Sequence, residues 1–416
     1  MLRHANIHSS HSYKDYEHFL TFSETEHITE LGRRLKGKRI LHINATDTGG
    51  GVTEVLSALV SFEQSLNISS SWRVLTVKKP FFWVTKKLHN ALQGSRGELD
   101  TQEITDGEWQ FYLEQSKDIA YALSVLRADL LVIHDPQPLM AGCLAETNAK
   151  KAARIHIDLS NPDARALSLV LACMKKFDRL IFSLPTYVPA DMPEERIVII
   201  PPSIDPLSDK NKPMKRNDAR RALKRFGIGE DTPLIVQVSR FDAWKDPIGV
   251  IHAHQEARKT IPELKLLLLG SAQVEDDPEA AGILRELQAY TEKDPSIIIV
   301  SEHSNELVNA VQTAADVVLQ KSIREGFGLT AAEAMWKYRP VVAGDVGGLK
   351  LQIENGETGF LVRSPEEAAE KIVVLLKDAG LRRRIGEKAH ESVRERFLLP
   401  REAHNHLQMY ADVLGV

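Results

Sequence analysis

Short apolar runs alternate along this chain with longer amphipathic stretches. From residue 38 onward, KRILHIN (38–44), SWRVLTV (71–77), DLLVIHD (129–135), ARIHIDL (153–159), DRLIFSL (178–184) and RIVIIPP (196–202) read as strands. These runs are β-branched and nearly continuous rather than alternating, the pattern of strands covered on both faces. They predict a parallel sheet with helices around it. Stretches such as VTEVLSALVSFEQSL supply the helical periodicity between them. At Pro201 the texture changes, because PPSIDPLSDKNKPMKRNDARR is rich in Pro, Lys and Asp, a boundary signal. A second series then begins with PLIVQVS (233–239), LKLLLLG (264–270), SIIIV (296–300), ADVVLQ (315–320) and RPVVAGD (339–345). The economical reading is α/β: two Rossmann-like, doubly wound halves in tandem, 1–205 and 206–399. In such sheets ligands sit beyond the C-terminal strand ends, so two facing halves would enclose a cleft. A polar, histidine-rich lead (1–36) precedes the first strand and carries neither pattern.

Length and composition agree with this division. The 416 residues suit two domains of ordinary size. With 43% hydrophobic residues, 26% charged residues and a net charge of −4, the chain reads as soluble and globular, with no electrostatic reason to bind nucleic acid. No run approaches the ~20 apolar residues of a membrane helix, and the first twenty residues lack a signal-peptide core. Cys143 and Cys173 lie in apolar, helix-like segments without metal-ligand spacing, which predicts buried free thiols. A cytoplasmic location is the expectation.

Candidate chemistry lies just after strands. Asn44-Ala45-Thr46-Asp47-Thr48-Gly49-Gly50-Gly51 places three glycines between a strand and a helix, where backbone N–H groups can meet an anionic or polyol ligand. The competing reading is a tight turn that needs positive φ. The spacing is not Gly-x-Gly-x-x-Gly and no Walker lysine follows, which counts against a dehydrogenase or a P-loop ATPase. After PLIVQV comes Ser239-Arg240-Phe241-Asp242-Ala243-Trp244-Lys245-Asp246, in which Arg240 and Lys245 can converge on a diphosphate. After ADVVLQ comes Ser322-Ile323-Arg324-Glu325-Gly326-Phe327-Gly328-Leu329-Thr330, running into a helix that carries Glu333. Glu325 would sit on the loop and Glu333 about two turns into the helix, facing one ligand from different depths.

The segments SRFDAWKD, REGFGLTAAEAM and VGGLKLQIENGETGFLV resemble the donor-site signature of retaining GT-B glycosyltransferases, the large family that includes sucrose synthases. GGGVTEVL, KLHNALQG, VIHDPQP, RIHIDLSNP and PPSIDPLS narrow the resemblance to the trehalose glycosyltransferring synthases. Many relatives in the wider family carry Gly-Gly-Ile-Pro-Glu where this chain has Gly347-Gly348-Leu349-Lys350-Leu351-Gln352, and the Lys-x-Gln form is similar to the trehalose branch.

The resemblance implies a GT-B fold whose C-terminal helix, residues 400–416, crosses back to the N-terminal domain. It implies acceptor binding by the first domain and nucleotide-sugar binding by the second. Arg240 and Lys245 would neutralise the leaving diphosphate, with backbone N–H groups of Gly326, Phe327, Gly328, Leu329 and Thr330 assisting. Glu325 would hold donor-sugar hydroxyls, Glu333 the ribose, and Gly49, Gly50 and Gly51 would close over donor and acceptor. His156 matches the family's histidine near the reacting sugar. A lone strand histidine is more often a core residue, but its place at a strand end favours a site. Asp158 would orient the acceptor, and His89, Asn90 and Gln93 are acceptor-side candidates. His134 and Asp135 are further candidates, against which a structural turn set by Pro136 and Pro138 competes evenly. The reaction implied is glucose transfer from ADP-, UDP- or GDP-glucose to free glucose, giving trehalose reversibly. No covalent carboxylate nucleophile and no metal cofactor are expected, although Mg²⁺ could stimulate. A trehalose phosphorylase and a sucrose- or glucosylglycerate-type synthase are the rival reactions on the same fold. A non-catalytic sugar binder would not need the leaving-group machinery. No membrane or nucleic-acid partner is expected; the oligomeric state, a homodimer included, is left open.

Overall fold

The computed structural model describes residues 1–94, 103–270, 280–292, 294–302 and 304–416. They divide into two compact units: Met1–Pro202 with Leu399–Val416, and Ser203–Leu398.

The first unit is built on seven strands: β1 (Leu2–His4), β2 (Arg39–Asn44), β3 (Ser69–Leu75), β4 (Leu130–His134), β5 (Lys150–Ile155), β6 (Arg179–Phe182) and β7 (Ile197–Ile199). Their order is β1-β3-β2-β4-β5-β6-β7. Around them lie α1 (Phe22–Leu35), α2 (Gly51–Ser65), α3 (Lys79–Leu92), α4 (Asp106–Ser124), α5 (Pro136–Leu144) and α6 (Ala164–Met174). Strand β4 is buried along its whole length, as its unbroken apolar run requires. Trp72 on β3 packs with Leu56 and Val60 of α2. Burying an apolar side chain of this kind contributes about 1.5–3 kcal/mol.

Two features of this sheet depart from the sequence expectation. The sheet is not wholly parallel: β1, from the polar lead, adds an antiparallel edge strand pairing Leu2 with Leu75. The lead is tied down further by a two-pronged bond from the Arg3 guanidinium to the Asp47 carboxylate (2.6 and 2.7 Å) and by the wholly buried Tyr16. Three residues cannot announce a strand by periodicity. The second departure is that β5 runs over 150–155 rather than 153–159. Its ladder stops at Ile155 because the next backbone N–H, that of His156, donates to the Asp135 carboxylate (2.8 Å) instead of to a strand.

The second unit has a wholly parallel six-stranded sheet: β8 (Leu234–Val238), β9 (Lys265–Leu269), β10 (Ile297–Val300), β11 (Val317–Gln320), β12 (Val341–Gly344) and β13 (Phe360–Val362). The order is β10-β9-β8-β11-β12-β13. The short β13 lies inside GETGFLV, where the apolar run is only three residues long. The helices are α7 (Arg216–Leu223), α8 (Pro247–Arg258), α9 (Ala280–Thr291), α10 (Asn305–Ala314), α11 (Leu329–Trp336), α12 (Leu349–Gln352), α13 (Pro365–Lys377) and α14 (Ala379–Arg396). Ile235, Leu266, Leu268, Leu319 and Val342 of the sheet meet Val250, Ile251, Ile372 and Leu375 of the helices in its core.

The last helix, α15 (Leu399–Leu414), belongs to the first unit and packs on α1 and α2. Arg401 pairs with Glu24, and His404 Nε2 lies 2.9 Å from His27 Nδ1. Both sheets reverse their winding once. The chain goes outward from β2 to β3 and resumes at β4 on the other side of β2. It likewise goes from β8 to β9 and β10, then resumes at β11 beside β8. Loops after β2 and β4, and after β8 and β11, therefore flank the crevices where open α/β sheets hold ligands.

No helix among the described residues is long and apolar enough to cross a membrane.

Candidate active site

In the second unit the crevice is bridged by side chains from both loops. Lys245 Nζ, after β8, donates to Glu325 Oε2, after β11, at 2.6 Å. Ser322 Oγ (3.0 Å) and Gln320 Nε2 (3.1 Å) donate to the same oxygen. The backbone N–H of Ile323 donates to the Trp244 carbonyl (2.9 Å), tying the loops together. Arg240 is half-exposed and pairs with Asp242 at 3.0 Å. Both candidate cations are thus held by carboxylates at the carbonyl ends of adjacent strands.

The loop Gly326–Thr330 leads into α11 through Gly328, whose φ of +87° lies in the left-handed region. A Cβ there would also stand 2.8 Å from Leu349 Cδ2. Gly348 comes close from the other side: a Cβ on it would stand 2.5 Å from Phe327 Cα and 2.7 Å from the Gly326 carbonyl oxygen. Gln352 Nε2 donates to the Phe327 and Gly328 carbonyls, while Lys350 points outward toward Asp345 (3.8 Å). The two halves of the Lys-x-Gln motif therefore do different work.

Glu333 lies one turn into α11 rather than two, because the left-handed Gly328 delays the helix until Leu329. Its carboxylate is buried, with Lys210 Nζ at 3.5 Å and Gln312 Nε2 at 3.3 Å. Gln312 also donates to the Thr330 carbonyl, and Thr330 Oγ1 donates to Gln320 Oε1 (2.8 Å), so hydrogen bonds link the two glutamates. Beneath them Lys337 is buried, and desolvation pushes its ammonium down to about 7.

In the first unit His134 ends β4 and His156 follows β5. Their rings are linked, His134 Nδ1 to His156 Nε2, at 3.0 Å. Asp135 caps the N-terminus of α5 with a φ of 63°, and burial raises its carboxyl to about 7 despite bonds from the backbone of His156 and Ile157. This carboxyl group makes no cap bond to α5; it ties the turn after β4 to the backbone that follows β5. Asp158 is buried, and its Oδ1 accepts from the Ser160 N–H (2.8 Å). His89, Asn90 and Gln93 sit half-buried at the end of α3. That helix end is joined to the Asp158 loop by the Asp163 N–H donating to the Ala91 carbonyl (2.9 Å).

Gly49 and Gly50 are exposed at the start of α2, both with positive φ and with open space where a Cβ would stand. The turn geometry requires them; packing does not. Cys143 and Cys173 carry no disulfide.

Several residues that shape these sites have no sequence signature. Gln320 and Gln312 organise the glutamates, and both sit inside apolar runs. Glu63 and His42, fully buried beneath His134, are the others. Their one signal is a charged or polar residue at a position where the periodicity calls for an apolar one.

Comparison with known proteins agrees with this architecture. Residues 42–189 match a family described as trehalose synthase, N-terminal domain, and residues 218–392 match glycosyl transferases group 1. The trehalose synthase of Pyrococcus horikoshii is 40% identical over 97% of this chain and 95% of its own. Among solved structures, sucrose-phosphate synthase from Thermosynechococcus elongatus superposes with a TM-score of 0.69 at 20% identity, over 91% of this chain and 99% of its own. An Escherichia coli structure described as trehalose-6-phosphate bound with UDP-2-fluoro glucose gives 0.70 at 14% identity, over 91% and 99%. These two likenesses concern the fold, which is GT-B. The near-full-length identity to a trehalose synthase, together with the two matched family models, places this chain in the trehalose synthase family of glycosyltransferases.

Proposed function

We propose that this enzyme transfers glucose from a nucleoside-diphosphate-glucose to free glucose, with retention, to give α,α-trehalose, and that it runs the reaction backward with trehalose and a nucleoside diphosphate. The observation that carries this reading is the Lys245–Glu325 bridge at the switch point of the second sheet, above the Gly326–Thr330 turn.

Breaking the anomeric C–O bond puts negative charge on the leaving diphosphate while an oxocarbenium-like centre forms. Arg240 and Lys245, fixed in advance by carboxylates, supply positive charge without reorganisation. The N–H groups at the start of α11 add donors for phosphate oxygens. Glu325 Oε2 accepts from Lys245, Ser322 and Gln320, which makes it a weak nucleophile. That supports a same-face displacement in which Glu325 holds donor-sugar hydroxyls. Glu333 would reach the ribose by exchanging its bond to Lys210 or Gln312. On the acceptor side, His156 would meet a sugar hydroxyl at the carbonyl end of β5.

The test is incubation with ADP-, UDP- or GDP-glucose plus glucose, followed by chromatography of the product. Trehalose formation and its reversal by nucleoside diphosphate are expected. Trehalose breakdown by inorganic phosphate alone would replace this reading with phosphorolysis, and refusal of glucose as acceptor would retire trehalose as the product.

A further inference from the structure

The first unit contains a line of ring-to-ring hydrogen bonds running under its sheet ends. Glu63, on α2, sits wholly buried in a stretch otherwise apolar on that face. Its Oε1 accepts from Tyr410 Oη of α15 (3.0 Å), and its Oε2 accepts from Ser70 Oγ. His42 Nε2 stands 3.2 Å from the same Oε2. From there the contacts pass from ring to ring across adjacent strands: His42 Nδ1 to His134 Nε2 at 3.0 Å, then His134 Nδ1 to His156 Nε2 at 3.0 Å. His156 Nδ1 makes no hydrogen bond among the described residues. The nitrogens pair in series and do not converge on one point, and no group of three or more His, Cys, Asp or Glu among the described residues is arranged to hold a metal ion.

Charge fixes the direction of this series. A carboxylate that receives two hydroxyl donors is an acceptor, so His42 Nε2 carries the hydrogen on that side. A neutral imidazole has one donor and one acceptor nitrogen. His42 Nδ1 therefore accepts from His134 Nε2–H, and His134 Nδ1 accepts from His156 Nε2–H. The surroundings keep His134 and His156 neutral. Burial holds His134 and His156 well below the usual histidine range, and the buried Arg154 adds to this for both. The other charged or titratable groups packed here are His406, Glu402 (3.8 Å from Arg154) and Asp135. A second proton on His42 or His134 would set donor against donor and break the series, and one on His156 would occupy its Nδ1 lone pair.

We propose that Glu63, His42 and His134 are positioning residues that fix His156 as the Nε2–H tautomer, so that its Nδ1 lone pair is presented to a sugar hydroxyl as a hydrogen-bond acceptor. This rests on the reading of His156 as the residue that meets the sugar. The relay spans α2, β2, β4 and the end of β5, and α15 closes it through Tyr410. The C-terminal helix thereby takes part in setting the state of a residue far from it in sequence.

The experiment is long-range ¹H–¹⁵N correlation of ¹⁵N-histidine-labelled full-length protein, with His156 assigned through His156→Asn, alongside kinetics of Glu63→Gln. In the unaltered protein His156 should carry hydrogen on Nε2 alone. In Glu63→Gln, whose amide can both donate and accept, that single tautomer should give way to a mixture. Turnover should fall about tenfold or more, the scale seen when a group that orients a histidine is removed, with KM for the nucleotide sugar little changed. A native circular dichroism spectrum of the variant separates this loss from unfolding. Hydrogen on Nδ1 in the unaltered protein overturns the proposal, and that measurement requires only that the unaltered chain fold. An unchanged single tautomer in Glu63→Gln also overturns it, as does a tautomer mixture with unchanged turnover. The tautomer is read without substrate, so failure of the relay is distinguishable from failure of the glycosyl-transfer reading, which the product assay on the unaltered enzyme decides.

Discussion

The two units solve the same structural problem differently. Each is a doubly wound sheet with candidate chemistry beyond the carbonyl ends at its winding reversal. In the second unit side chains bridge the two loops of that region, but the turn into α11 is shaped by backbone. Gly328 and Gly348 let two chain segments approach within the space of a methyl group, and Gln352 clamps their carbonyls. In the first unit it is shaped by side chains that come from α2, β2, β4, β5 and α15 and share buried hydrogen bonds. A backbone cradle suits a diphosphate, which wants N–H donors and fixed cations. Buried rings suit a neutral sugar, which needs hydroxyls oriented and no net charge supplied. The cradle is brittle to any added atom, whereas the side-chain array is sensitive to which atom carries a proton.

The sharpest way to break the contrast is to remove a cation from the cradle. Lys245→Ala and Arg240→Ala should each lower turnover by about 10²–10³, the scale of losing one preorganised donor, with little change in acceptor binding. Steady-state kinetics with the acceptor varied would show this, and unchanged turnover in both folded variants would remove the diphosphate assignment.

The next effect is steric. Gly348→Ala places its Cβ against the backbone of Phe327 and Gly326, which cannot swing away as a side chain can. A destabilisation of about 1–3 kcal/mol is expected, together with weaker nucleoside diphosphate binding in calorimetry. Alanine at Gly49 meets no neighbour, so its cost should come from the positive φ alone.

A smaller effect belongs to the N-terminal lead. The Arg3 guanidinium holds the Asp47 carboxyl down at about 2. Because this folded value lies below the unfolded one, the stabilisation is present above about pH 4 and is lost as pH falls toward 2. Arg3 is half-exposed, so solvent screening trims the contribution to about 1–2 kcal/mol. Denaturant melts of Asp47→Asn against the unaltered chain should differ at pH 7 and converge only as the pH falls to about 2. The smallest effect should come from Lys350→Ala, within about 0.5 kcal/mol as for other exposed sites. Gln352→Leu, two positions away, should cost about 1–3 kcal/mol by stranding two carbonyls. Equal effects at the two positions would show that the cradle is not clamped as described.

The sequence by itself determined the α/β class, the number of halves, most strands to within a few residues, and the contiguous loops that hold Arg240, Lys245 and Glu325. Those features are local: an apolar run, a glycine before a helix and a cation after a strand can each be read within about ten neighbours. It also determined the family, since the same loops carry the resemblance. Only the tertiary structure decided the rest. The antiparallel β1 exists because Leu2–His4 finds an edge beside β3, not because three residues favour a strand. Strand β5 ends at Ile155 because a carboxylate on the neighbouring β4 turn captures the next N–H. Glu333 faces Lys210 and Gln312 because one left-handed glycine shifts the start of α11. Glu63, His42, His134, His156 and Tyr410 span most of the chain, and no periodicity connects them. Their hydrogen bonds arise where separate strands and the returning C-terminal helix meet, because a buried polar group must find its partner wherever the fold places one.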